Sequence, residues 1–206
     1  MENSKLQKML KAHKLWIDSN KKKGEPANFC GAIIREVDFR EADLRGSNFR
    51  GCVLSGCDFY GCVLSGCDIS ESDLRGVNFR KADLRGSDFS GSDILESNFC
   101  ETDCYKAKFC EVDLRGSDIR RANFFKADFR GSDLRGVDFC ESNFRESNLY
   151  ECNIYGANFR GAIIRGANIR GVHVCEANLD LFGRSLVYGQ MNCHYNDWPM
   201  VKRDRC

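Results

Sequence analysis

Bulky apolar residues recur at every fifth position of this chain from Phe29 to Leu179. They make 31 consecutive repeats, in which Cys104 is the one central residue that is not large and apolar. Ala, Ser, Thr, Cys or Val always stands two places before the central residue, and Asp or Asn usually lies between them. Five residues advance about 500° on an α-helix, and an odd period alternates faces on a straight strand. The pattern therefore predicts a chain that bends once per repeat, often at a Gly in the last repeat position, and so coils.

The central residues also predict how many repeats complete one coil. Phe and Leu alternate through much of the array, so their identity has a period of ten residues. Four repeats per coil stack Phe39 on Phe59 and Leu44 on Leu64, whereas three would mix the two volumes in every column. The sequence thus predicts an all-β solenoid of about eight four-sided coils over residues 27–181.

Residues 1–26 lack the five-residue period and form a separate segment. Their apolar side chains have helical spacing, with Ser4 as the candidate N-cap and with Gly24 and Pro26 ending the segment. A helix here would cover the open end of the first coil. The helical face consists of Leu6, Met9, Leu10, His13, Trp16 and Ile17.

The repeats resemble those of the pentapeptide-repeat family, whose pattern is A(D/N)LXX. The clearest matches are the two segments Ala-Asp-Leu-Arg-Gly at 42–46 and 82–86. The resemblance implies a right-handed quadrilateral β-helix, and the N-terminal helix is similar to the caps of many members. Some members protect type II topoisomerases from quinolones by resembling duplex DNA in shape and negative charge, while many others have no known role.

Residues 182–206 leave the five-residue register and again carry large apolar side chains. We interpret them first as a C-terminal cap and second as a homodimer contact, because members of the family often pair through this region; the two roles are compatible. The residues that carry both interpretations are Phe182, Leu186, Val187, Tyr188 and Trp198.

Evenly spaced cysteines raise the question of a metal site. Cys52, Cys57, Cys62 and Cys67 stand at four successive small positions, but zinc needs its sulfur ligands about 2.3 Å from one point. In the predicted coil each would lie on a different side, so we interpret them as small apolar core residues. No cofactor is predicted, and a metal-binding or enzymatic role is the least favoured alternative. Five other cysteines follow central residues and are expected to face outward: Cys30, Cys100, Cys110, Cys140 and Cys175.

The charge pattern argues against direct nucleic-acid binding. The whole chain has a formal net charge of +1, and residues 27–181 hold 25 acidic and 20 basic residues. Stacked acidic residues such as Asp73 and Asp93 should be neutralised by arginines two places on, such as Arg75. Lys108 should lie between Asp88 and Asp128 in the same way. The repeats therefore depart from those of a DNA mimic.

An outward cluster is the candidate partner-binding site. Tyr105 and Phe125 are 20 residues apart, which places them one above the other, and Lys106 and Lys126 stand beside them. Such a cluster suits an anionic or protein partner; the alternative is a ring pair that only protects the surface.

Two further sets of outward residues depart from the usual pattern. Tyr150 and Tyr155 form a second, weaker aromatic pair. Apolar residues replace Asp or Asn at four positions near the two ends, where we expect them to pack under the caps: Ile33, Val53, Val63 and Ile163.

These observations favour a non-catalytic scaffold or protein-binding module. Thirteen cysteines without an export signal indicate the reducing cytoplasm, and no membrane segment is expected. The alternative function is topoisomerase protection by DNA mimicry.

Overall fold

The computed structural model describes residues 2–179, which comprise one α-helix followed by a long coil. The helix, α1, spans Asn3–Asp18. Within the coil, parallel β-bridges join residues that are 20 apart, from Asn28↔Asn48 through to Asn158↔Asn178, and they recur at every fifth residue. Four repeats therefore complete one coil, which confirms the predicted number of sides. We number the sides 1 to 4 after the central residues of the first coil, which are Phe29, Ile34, Phe39 and Leu44.

A tight turn joins each side to the next. The carbonyl oxygen of Phe29 accepts the N–H of Ala32 at 2.8 Å, and Gly31 between them has a φ of +68°. A positive φ at the third residue of such a turn is the geometry of type II and favours glycine. Other repeats place Glu, Lys or Arg in the same conformation, for example Glu111 with a φ of +56°.

The Asp or Asn before each central residue also serves the turn. The Oδ1 atom of Asp38 accepts the backbone N–H of Arg40 at 2.9 Å, and Asn48 accepts that of Arg50 in the same way. Either side chain therefore supplies an acceptor for a backbone N–H that the turn would leave unpaired.

The central residues fill the coil as stacked columns. Phe39 and Phe59 stack with ring centroids 4.8 Å apart, while Leu64 and Leu84 are completely buried on side 4. The predicted stacking of Phe on Phe and Leu on Leu is therefore confirmed. The buried residues form one continuous apolar cluster, which also includes Leu6 of α1.

Helix α1 packs against the first coil through Leu6 and His13, which are 6% and 1% exposed. The Nδ1 atom of His13 accepts the N–H of Ala27, the first residue of the repeats, at 3.1 Å. The expectation that Ser4 caps the helix is wrong: the N-cap is Glu2, and no side chain makes a capping hydrogen bond.

Ile33 is not covered by the N-terminal cap as expected, and the C-terminal cap that was expected over Ile163 lies outside the described residues. Ile33 is 55% exposed and Ile163 is 44% exposed, whereas Val53 and Val63 are half-buried. The reason is geometric, because this repeat position faces outward whatever residue occupies it.

The predicted C-terminal cap or dimer contact at 182–206 lies outside the described residues, and the division into 1–26, 27–181 and 182–206 stays a prediction. No helix within residues 2–179 has the length and apolar character needed to cross a membrane.

Candidate functional site

The coil brings the four residues of the candidate site together on side 4. Asp103 and Asn123 are bridged in parallel, and the N–H of Lys106 donates to the carbonyl oxygen of Phe125 at 3.0 Å. This ladder places Tyr105 directly before Phe125 in one outward column. We call Tyr105, Lys106, Phe125 and Lys126 the aromatic–lysine cluster.

The cluster is held by ring and cation contacts. The rings of Tyr105 and Phe125 stack with centroids 5.6 Å apart and an interplanar angle of 26°. The Nζ atom of Lys106 lies 5.1 Å from the centroid of Tyr105, and that of Lys126 lies 4.9 Å from the centroid of Phe125. Both rings are half-buried and both lysines are exposed. The predicted adjacency is therefore present, while partner binding by these residues stays a prediction.

The unusual central residue beneath the cluster belongs to the core. Cys104 is completely buried, and its Sγ atom donates to Oγ1 of Thr102 at 3.4 Å. The hydroxyl of Thr102 in turn donates to the carbonyl oxygen of Phe99 at 2.8 Å. Burial raises the pKa of the Cys104 thiol, so this thiol is not an activated nucleophile.

The same outward column continues toward the C-terminus with two arginines that we did not predict as site residues. The N–H of Lys126 donates to the carbonyl oxygen of Arg145 at 3.0 Å, and the N–H of Glu146 donates to that of Arg165 at 3.1 Å. The 20-residue spacing of positions 105, 125, 145 and 165 was the signal in the sequence that could have revealed this column.

Elsewhere in the coil, most arginines at this repeat position are paired with carboxylates. The Nη2 atom of Arg115 lies 2.6 Å from Oδ2 of Asp113, and its Nε atom lies 3.7 Å from Asp133 in the next coil. The Arg120 guanidinium beside Asp118 lowers the pKa of that carboxyl group to about 2. The predicted neutralisation of the acidic columns by arginine is thus confirmed.

Lysine and tyrosine outside the cluster follow the predictions only in part. Lys108 binds Asp88 at 3.0 Å as predicted, but Asp128 pairs with Arg130 at 2.8 Å instead.

Tyr150 and Tyr155, which are 39% and 44% exposed, lie on sides 1 and 2 respectively. Because no ring contact joins them within residues 2–179, they do not form a second pair like that of side 4.

The four evenly spaced cysteines act as hydrogen-bond donors within the core. The Sγ atom of Cys52 donates to the carbonyl oxygen of Phe29 at 2.9 Å, and that of Cys62 donates to Phe39 at 2.7 Å. Ser87 makes the same bond to Leu64 at 2.7 Å, so Cys and Ser are interchangeable here. Burial raises the pKa of the Cys52 thiol to about 11. Within residues 2–179 no group of three or more His, Cys, Asp or Glu side chains could hold a metal ion.

One cysteine that was expected to face outward is buried. Cys100 is only 9% exposed, because the outer side chains of the next coil cover it: its Sγ atom lies 2.9 Å from Oδ1 of Asp118. Cys30, at the N-terminal end of the coil, is exposed as expected, and Cys110, Cys140 and Cys175 are half-buried.

Comparison with known proteins places these repeats in a family. The model of a pentapeptide repeat region matches residues 32–109, and that of pentapeptide repeats in eight copies matches residues 122–161 and 142–180. No curated protein matches the sequence.

The chain is also similar to solved structures. A trypsin-treated variant of QnrB1, a plasmid-mediated fluoroquinolone resistance protein, is 21% identical; the match covers 73% of this chain and 83% of that one, with a TM-score of 0.52. HetL, a pentapeptide repeat protein involved in heterocyst differentiation regulation in the cyanobacterium Nostoc, is 22% identical over 70% of this chain and 84% of its own, with a TM-score of 0.42. The likeness to QnrB1 shows the fold alone. With two family models matching most of the repeats and with the four-sided coil in the structure, the chain belongs to the pentapeptide repeat family.

Proposed function

We propose that this protein is a non-catalytic binding module whose protein partner contacts side 4 at the aromatic–lysine cluster. The observation that carries the proposal is the stacked ring pair of Tyr105 and Phe125 on the outside of the coil. Arg, Ser or Cys occupies this repeat position in most other repeats. The fold does not need rings here, since the core is already complete beneath them.

The cluster suits binding because its geometry is fixed before a partner arrives. Each residue of the column is tied to the next coil through backbone hydrogen bonds, such as that from Lys106 to Phe125. Half-buried rings on such a support offer apolar contact area and lose little conformational freedom when a partner binds. Residues of this kind contribute most of the binding free energy in many protein interfaces. We also propose that the coil is right-handed, as the family resemblance implies. We further propose that the protein is cytoplasmic, where its thiols would stay reduced.

Affinity capture from a lysate tests this proposal. We expect Tyr105→Ser/Phe125→Ser to lose a partner that the wild type retains. The matched control is Tyr150→Ser/Tyr155→Ser, which removes two exposed rings from sides 1 and 2 and should retain the partner. Far-UV circular dichroism should show that both variants remain folded. Identical partner lists for the wild type and the side 4 variant would remove the cluster as a binding site.

Protection of a type II topoisomerase is the second candidate function. The similarity of the fold to that of QnrB1 favours it, but the pairing of carboxylates with arginines, as at Asp113 and Arg115, opposes DNA mimicry. Supercoiling by gyrase in the presence of a quinolone tests this candidate. Protection by the protein would support it, and the absence of protection at stoichiometric excess would exclude it.

A further inference from the structure

Side 4 carries a longer row of outward aromatic and cationic side chains than the aromatic–lysine cluster alone. Tyr105, Phe125, Arg145 and Arg165 succeed one another in a single outward column, joined coil by coil through backbone hydrogen bonds. With the two lysines they form what we call the cationic strip: Tyr105, Lys106, Phe125, Lys126, Arg145 and Arg165. Coils about 4.8 Å apart give the strip a length of about 14 Å, which matches about four residues of extended peptide.

The arginines of the strip are available to a ligand, unlike Arg115 and Arg135 at the same repeat position on side 2. Arg115 and Arg135 each bind the Asp two residues earlier in a fork, with Nη2 of Arg115 2.6 Å from Asp113. The corresponding residues on side 4 are Asn143 and Ile163, and neither is a carboxylate. Arg145 and Arg165 accordingly make no ion pair with any residue in 2–179, and both are exposed.

The lysines of the strip differ in their pairing. Lys126 lies 3.4 Å from Glu146, whereas Lys106 makes no ion pair within the described part of the chain. Three cations of the strip, Lys106, Arg145 and Arg165, therefore have no acidic partner among residues 2–179. An unpaired guanidinium favours a carboxylate ligand, which it can bind through two hydrogen bonds.

The rings of the strip favour a carboxylate ligand over a nucleic-acid base. Tyr105 and Phe125 already stack on each other, and each has an ammonium group near its ring. Bases bind by stacking on free ring faces, which this arrangement restricts. The edges of aromatic rings carry partial positive charge, which matches carboxylates.

We infer that the cationic strip binds an extended acidic segment of a partner protein. The inference rests on the proposed function, in which side 4 is the contact surface, and adds the chemistry of the partner. Carboxylates of the segment bind Arg145, Arg165 and Lys106, while its backbone and aliphatic carbons lie against the rings of Tyr105 and Phe125.

Fluorescence anisotropy with labelled probes tests this inference directly. The probes are a Glu-rich peptide, a Gln-rich peptide of the same length and an oligothymidylate of similar length. We expect the full chain to bind the Glu-rich peptide, with an affinity that falls as salt is added, and to bind the other two more weakly. Preference for the oligothymidylate would assign the strip to nucleic acid and overturn the inference, as would a failure to bind the Glu-rich peptide.

Two pairs of variants locate the binding. Arg145→Gln/Arg165→Gln should weaken binding of the Glu-rich peptide by about tenfold or more, because two charge-assisted contacts are lost. The control Arg115→Gln/Arg135→Gln removes the same charge from the same repeat position in two adjacent coils of side 2. Since those arginines are already paired, it should change the affinity by less than about threefold. An equal loss in both variants would show only a general effect of net charge and would overturn the inference.

The second pair keeps every cation. Asn143→Asp should create the Asp–Arg fork beside Arg145 and so weaken peptide binding, although no positive charge is removed. Asn168→Asp, beside Arg170 on side 1, is the matched control. Both asparagines donate Nδ2 to the preceding coil, at 2.9 Å to Asn123 and 3.0 Å to Asn148. If Asn143→Asp binds the peptide as tightly as the control does, the availability of Arg145 is irrelevant and the inference fails.

The two proposals can fail separately. Loss of a captured partner in the Tyr105→Ser/Phe125→Ser variant, without binding of the Glu-rich peptide, would keep side 4 as the contact surface and reject an acidic ligand. Peptide binding that depends on Arg145, together with unchanged partner lists for the ring variant, would reject the ring cluster as the partner site.

Discussion

Two phenylalanines show how the aromatic residues of the fold can be separated from those of the proposed site. Phe109 is completely buried, and its ring stacks between those of Phe89 at 4.8 Å and Phe129 at 4.9 Å. Phe109→Ala should therefore lower the free energy of unfolding by about 3–5 kcal/mol, the cost of truncating a buried aromatic residue. Phe125 is half-buried and contacts one ring, that of Tyr105 at 5.6 Å. Phe125→Ala should cost only about 1 kcal/mol while abolishing partner binding.

Urea unfolding followed by far-UV circular dichroism measures both free energies of unfolding. The dependence of each free energy on urea concentration reports whether the variant exposes the same amount of surface on unfolding as the wild type does. The partner captured by the wild type supplies the binding assay. If Phe125→Ala were as destabilising as Phe109→Ala and bound the partner normally, the outer rings would serve the fold as a protective pair. A cost below about 1 kcal/mol for Phe109→Ala would contradict the stacked-column account of the core.

Three further predictions follow from single residues. Burial lowers the pKa of His13 from its ordinary value of 6.5, so the imidazole binds a proton less readily in the folded chain than in the unfolded chain. The free energy of unfolding, measured by urea titration, should therefore be constant above pH 6.5 and fall as the pH is lowered below that value. Native iodoacetamide labelling followed by peptide mapping should modify the exposed Cys30 while sparing Cys62, whose pKa burial raises to about 12, and rapid labelling of Cys62 would contradict its place in the core. Gly76→Ala should cost about 1 kcal/mol in urea unfolding, because Gly76 has a φ of +66° with open space around it, so only backbone strain opposes the added methyl group; no change in stability would refute a left-handed turn at this position.

The core of this fold could be predicted from the sequence because it repeats along one dimension. The alternation of Phe39, Leu44 and Phe49 is visible without coordinates, and of three or four sides only four stack like on like. The alternation does not explain why particular residue types occupy the other positions of the repeat. The hydrogen bonds from the thiol of Cys52 to the carbonyl oxygen of Phe29 and from the backbone N–H of Arg40 to Oδ1 of Asp38 depend on where the coil places backbone groups.

The candidate site was only partly predictable for a related reason. The unusual residues Tyr105 and Phe125 attract attention by their type, whereas Arg145 is an ordinary residue for its repeat position. What distinguishes Arg145 is that neither Asn143 nor Gly166 supplies a carboxylate. That difference becomes clear only when the pairs of Arg115 with Asp113 and of Arg50 with Glu71 are seen. At Ile33 the residue type led to a wrong prediction of burial, because an apolar side chain at an outward position stays exposed.

The choice between Asp and Asn before the central residue separates folding from function in this chain. Asn143 accepts the N–H of Arg145 at 3.2 Å, and Asp113 accepts that of Arg115 at the same distance. Either residue therefore satisfies the turn, and the backbone does not select between them. The two differ in what they leave on the surface, since Asp113 binds the guanidinium that follows it whereas Asn143 does not bind that of Arg145. After Asn48 and Asn78 the arginine pairs instead with a Glu of the next coil, but the residue at that place for Arg145 is Gly166. Asp138 is the last Asp at this position, and Asn, Ile or His takes its place in every later repeat from residue 143 to 178. The coil can thus change its surface from neutralised to cation-presenting without altering its fold, and on side 4 this change coincides with the stacked rings.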